Sequence, residues 1–144
     1  MLLIRIVVGL VFLTEGVLKF VHPQELGAGR FAAIGLPMPH MLAPVVAVVE
    51  IGAGAAVMIG LFAGDAALLL LAVILVALFS TKAPILLGHK LGPFAPAKLP
   101  HYGWLSFLHE ARTDLCMLFG TIAILIDSGL RAGRRKPWYQ SRGR

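Results

Sequence analysis

Four long apolar stretches dominate this sequence: residues 2–21, 42–62, 66–82 and 104–130. A helix rises about 1.5 Å per residue, so roughly 20 residues cross hydrocarbon about 30 Å thick, and each stretch is near that length. Backbone N–H and C=O groups find no water in hydrocarbon, so the expected form is helix, with the connections outside. The Pro- and Gly-bearing segments 22–40 and 84–103 fit those connections. The link Ala63-Gly64-Asp65 is short enough to force an antiparallel helical hairpin. The expected fold is therefore all-α, a four-helix transmembrane bundle over residues 1–130 followed by a basic tail over residues 131–144.

Composition excludes the water-soluble alternative. The chain has 144 residues, of which 58% are hydrophobic and only 14% charged, too apolar for one domain that hides its core from water. A cleaved signal peptide is the other reading of the first stretch. Glu15 and Lys19 interrupt that run and no small-residue cleavage site follows, so a permanent helix is expected. Four crossings put both ends of the chain on one side. That side holds Arg5, Arg131, Arg134, Arg135, Lys136, Arg142 and Arg144, against Arg30, Lys90 and Lys98 on the other, so both termini are expected to be cytoplasmic. The basic tail reads as a topology anchor touching anionic lipid, and no folded nucleic-acid-binding module accompanies it.

Cys116 stands alone, so no intramolecular disulfide and no Cys-x-x-Cys redox pair forms; within the fourth stretch it reads as a packing residue. Of the histidines, His22, His40, His89 and His101 fall in connections and only His109 falls within a stretch. Paired histidines at matched depth, as haem or a metal would need, are missing, so no metal site and no encoded cofactor are expected.

The ionisable residues inside the stretches carry the functional reading, because charges in hydrocarbon are costly and face a bundle interior or a wet cavity. They are Glu15 and Lys19 in the first stretch, Glu50 in the second, Lys82 at the end of the third, and Glu110, Arg112 and Asp114 in the fourth. Counted from the ends remote from the termini, Glu15 lies about seven residues in, and Glu50 and Arg112 about eight, so each sits roughly 10 to 12 Å deep. Lys19 and Lys82 lie a turn shallower, where long side chains reach inward or snorkel outward. Arg5, Gly9, Phe12, Glu15, Gly16 and Lys19 share a sector of about 120° on the first helix. On the fourth, Arg112 and Asp114 fall on nearly opposite faces and are expected to have different partners. Two readings follow for Glu15, Lys19, Glu50, Lys82, Arg112 and Asp114. They form an outward-facing polar pocket for a quinone head group, an oxyanion or a peptide end, or they only neutralise one another and fix helix register.

The second stretch and its following link carry Gly52, Ala56, Gly60 and Gly64 at four-residue spacing. Such a small-residue ribbon lets helices approach closely, either inside the bundle or against a second copy or partner subunit.

Taken in order, Arg5, Gly9, Phe12, Gly16, Lys19 and Phe20, then Phe31-Ala32-Ala33-Ile34-Gly35-Leu36-Pro37, then Glu50-Ile51-Gly52-Ala53-Gly54 with Gly60-Leu61, resemble the DoxX family of small four-span bacterial membrane proteins over residues 1–80. The resemblance implies a multi-pass protein of the bacterial inner membrane. It also implies association with redox systems, through a subunit similar to those of thiosulfate:quinone oxidoreductase, or a role in oxidative-stress complexes or as a membrane-protein chaperone. Glu15 and the segment His109-Glu110-Ala111-Arg112-Thr113-Asp114 depart from the usual pattern and suggest a specialised branch. Two functions of different class are thus expected: a redox-associated accessory subunit whose pocket takes quinone or a small sulfur oxyanion, with Arg112, Lys19 and Lys82 attracting it and Glu15 and Glu50 handling protons, or a non-catalytic assembly subunit of a larger membrane complex. The lipid bilayer and a larger complex or homo-oligomer are the partners either reading requires.

Overall fold

A computed structural model of the chain describes residues 1–134 and is helical, with no strand among the described residues beyond a lone bridge between Leu91 and Phe94. Helix α1 spans Leu2–Val21, α2 Ala28–Ala33 and α3 Pro39–Ile59. Helix α4, Ala63–Ala77, runs through a π-helical turn, Leu78–Lys82, into α5, Ala83–Leu87, and α6 spans Trp104–Arg134. The expected bounds shift where backbone chemistry intervenes. Helix α3 starts at Pro39, whose fixed φ suits a first helical turn, instead of at residue 42. It stops three residues before 62 because Gly60 takes a left-handed conformation, φ 78°, that terminates the helix. Helix α6 continues beyond residue 130 to Arg134, so the tail expected from 131 is helical at its start; its residues 135–144 lie outside the described residues.

The third helix does not end at Lys82. Pro84 has no N–H to donate and its ring crowds the carbonyl of Ser80, four residues back. The chain widens into the π turn just ahead of it, and the Ser80 and Thr81 hydroxyls donate to the carbonyls of Val76 and Ala77 at 2.7 and 2.6 Å. Helix then resumes, giving a continuous helical path Ala63–Leu87.

By length and composition, two helical paths are long and apolar enough to cross a membrane, Pro39–Ile59 and Ala63–Leu87. Helices α1 and α6 are long enough but carry Arg5, Glu15 and Lys19, and Glu110, Arg112, Asp114 and Asp127, within their length. Large apolar side chains face outward on every long helix: Leu3 is 77% exposed, Ile59 74% and Leu105 81%. A water-soluble protein rarely leaves so continuous an apolar surface, and hydrocarbon solvates it without cost.

The long helices run alternately up and down. Gly9 of α1 meets Gly54 and Met58 of α3, and Gly16 meets Ala47 and Glu50, so the two helices pack antiparallel at close range. A side chain at Gly16 would come within 2.7 Å of the Ala47 carbonyl oxygen, which is why only glycine fits there. The four expected ribbon positions do not share one contact. Gly52 is exposed with nothing near it, Ala56 packs at the edge of the core, Gly60 sits in the turn beside Arg5, and Gly64 touches Ser128 of α6. The close contact runs through Gly9, Gly16 and Gly54; Gly54 lies about 200° around α3 from Gly52, on the other face. The buried core, including Val8, Phe12, Val57, Leu70, Met117 and Ile124, fills the space between the long helices.

Candidate functional site

The cavity at the end of the molecule remote from Met1 begins with an ion pair between α1 and α3. Lys19 lies in the last turn of α1, where a cation is favoured by the helix dipole. Its Nζ donates to Glu50 Oε2 at 2.6 Å and sits 3.8 Å from Glu15 Oε2, one turn back on its own helix. The Lys19 and Glu50 side chains are 10% and 5% exposed, whereas that of Glu15 is 50% exposed. Glu15, Lys19 and Glu50 therefore form a line of charges from the surface to the interior. Gly16 makes it possible, because only the bare backbone there lets the Glu50 Cβ approach α1.

A second pair faces the first from the π turn and α6. Lys82, the last residue of the π turn, lies 3.5 Å from Asp114 Oδ2, with both side chains largely buried. Between the pairs is a cavity of about 600 Å³. Its polar wall consists of these residues with Ser80, Thr81, Glu110 and Thr113; its apolar wall includes Val11, Phe12, Val46, Val73, Ile74 and Met117. Helix α2 and its flanks roof it with Leu26, Phe31, Ile34 and Leu36, and Arg30 lies at the rim. An apolar chamber with a few convergent polar groups is the form of a small-molecule site.

Arg112 is placed elsewhere. It is exposed on α6 and does not line the cavity; its Nη1 donates to the His109 carbonyl at 2.9 Å and lies against the His109 imidazole. Asp114 faces the cavity, and a residue two positions away on a helix points about 200° from it. Five of the six expected charges thus converge, as Glu15–Lys19–Glu50 and Lys82–Asp114, without Arg112.

Sequence reasoning missed the hydroxyls of Ser80 and Thr81 and the rim Arg30, and it named Glu110 as a charge within the fourth stretch without assigning it to the pocket. The string Ser80-Thr81-Lys82-Ala83-Pro84 carried a legible signal, since a proline inside an apolar run marks a widened turn. Arg30 carried none, because its place depends on how α2 folds back over the helix ends. At the opposite end, Arg5 Nη2 bonds Asp127 Oδ2 at 3.0 Å beside a second cavity of about 670 Å³ bordered by Gly60, Gly64 and Ser128. Cys116 is exposed, and among the described residues no three His, Cys, Asp or Glu side chains are grouped to hold a metal ion.

No solved structure matches the chain. Uncharacterized membrane protein Rv3486 of Mycobacterium tuberculosis is 43% identical to it over 122 residues, 85% of this chain and 71% of the relative. The DoxX profile matches residues 1–83, the part that holds the Gly9–Gly54 and Gly16–Ala47 contacts, the Lys19–Glu50 pair and the π turn. On both matches, this chain is a membrane protein belonging to the DoxX family.

Proposed function

We propose that the chain is a redox-associated accessory subunit of a larger membrane assembly, and that its charged cavity binds a small polar head group, that of a quinone or a sulfur oxyanion. The carrying observation is the cavity of about 600 Å³ with an ion pair on each of two walls. In this reading the helices cross the bacterial inner membrane four times with both termini cytoplasmic, and the cavity faces the outer leaflet. Lys82, held loosely at 3.5 Å from Asp114, has N–H donors free for a carbonyl or oxyanion oxygen. Glu50, buried against Lys19, and Glu15, half exposed at the surface, are spaced to pass protons between the ligand and water. The electrons come from a cofactor-bearing partner, since no carrier is part of this reading.

Thermal unfolding in mild detergent tests it. A short benzoquinone or thiosulfate is expected to raise the Tm of the wild type, and Lys82→Met to reduce that shift severalfold. An undiminished shift in the variant removes Lys82 from the site, and no shift with either compound removes the cavity from ligand binding. The outward Arg112 and the uncovered Gly52 favour a second reading, that the chain is a non-catalytic assembly subunit whose outer faces hold neighbours. In that case variants at Arg112 and Gly52 break the complex while Lys82→Met leaves it intact.

A further inference from the structure

The walls of the cavity are not equally closed. Above, α2 covers it with Phe31 and Ile34, and the roof is tied down where the Gly35 backbone packs directly against the Pro93 carbonyl of the 88–103 connection. Below, Phe12 and Met117 are buried and close the floor. Helices α1 and α3 are in close contact along Gly9 and Gly16, and α3 with α4 and α4 with α6 pack more extensively than α1 does with α6. Between α1 and α6 the described contacts, Arg5 with Asp127 and Val8 on Gly120, belong to the far end. At the level of the cavity the residues flanking this seam, Glu15 and Thr113, line the chamber and are themselves exposed.

The charges on the wall point the same way. Glu15, Glu50, Glu110 and Asp114 face the cavity against Lys19, Arg30 and Lys82, so carboxylates outnumber cations there. Both interior ammonium groups already have carboxylate partners, Lys19 with Glu50 and Lys82 with Asp114. A free anion entering from water would meet a wall without excess positive charge. A neutral head that accepts hydrogen bonds from the lysines needs no such excess.

We infer that the cavity is entered sideways from the bilayer through the seam between α1 and α6, and that its ligand is a neutral lipid-soluble amphiphile with a carbonyl-bearing head. The head lies between Lys19 and Lys82 and the apolar tail leaves past Glu15 and Thr113. This rests on the cavity being a ligand site, as proposed above, and it chooses the lipid-soluble candidate over the aqueous oxyanion.

The experiment compares a benzoquinone bearing a decyl tail, the same head without a tail, and thiosulfate, by their Tm shifts on wild type and on Thr113→Trp, which fills the seam. Both quinones are expected to stabilise the wild type and thiosulfate is not; in Thr113→Trp the shift of the tailed quinone is lost. A tailed quinone that stabilises the variant as well as the wild type overturns the side entry. Stabilisation by thiosulfate alone overturns the ligand class, and no stabilisation by any compound overturns the cavity reading and the seam with it. A second measurement does not need the bulky variant. Thr113→Cys in a Cys116→Ser background, labelled with a fluorophore in lipid vesicles, is expected to be quenched by brominated acyl chains and relieved by the tailed quinone. Quenching by aqueous iodide alone would place the seam in water and sink the proposal.

Discussion

Lys19 is the residue on which the charged layer depends. Its ammonium is shared between buried Glu50 and half-exposed Glu15, at 2.6 and 3.8 Å. An ion pair taken out of water is stable only while both members stay, because removing one leaves the other desolvated and uncompensated. Glu50→Gln is therefore expected to destabilise the protein by about 3 to 5 kcal/mol, and Lys19→Met by a comparable amount. The double variant should lose clearly less than the sum, since the orphaned charge is gone as well. Arg112 supplies the contrast: it faces away from Glu50, so Arg112→Met combined with Glu50→Gln should give additive losses. Unfolding of the purified variants in detergent measures all of these, and non-additivity between Glu50 and Arg112 would contradict the placement of Arg112 outside the cavity.

Between elements, the approach of α1 to α3 is set by which glycines have a backbone opposite them. A methyl group at Gly54 would lie 2.8 Å from the Gly9 carbonyl oxygen, which belongs to the main chain and cannot swing aside. Gly54→Ala is thus expected to cost about 1 to 3 kcal/mol through overpacking. Gly52→Ala meets nothing within 4 Å and should leave folding stability unchanged or slightly raised, since alanine favours helix. The two substitutions differ by two positions in sequence and compare directly by thermal melting. Equal losses would mean that the Gly52 face is also packed, against a second copy or a partner. The π turn is the other element-level feature: it absorbs Pro84 while leaving Lys82 beside Asp114, so the local irregularity and the second ion pair arise together.

For the whole molecule, the Arg5–Asp127 contact brings the start of α1 beside the end region of α6, and the proposed orientation puts that end in the cytoplasm. A reporter fused after Arg144 should read cytoplasmic and one inserted between Lys90 and Lys98 should read external; the reverse pattern would turn the cavity toward the cytoplasm. The helical class and the bounds of α1 were legible in the sequence, because hydropathy and rise per residue act locally along the chain. Depth is an axial coordinate and can be counted. Which charges meet depends on azimuth, on how each helix is rotated about its own axis, and that is set by contacts far apart in sequence, such as Gly16 with Ala47. Counting therefore put Glu50 and Arg112 in one layer, while tertiary packing paired Glu50 with Lys19 and turned Arg112 outward. The roof that α2 forms over the cavity was likewise decided only there, because a connection's path is a property of the assembled helices and leaves no local pattern in the chain.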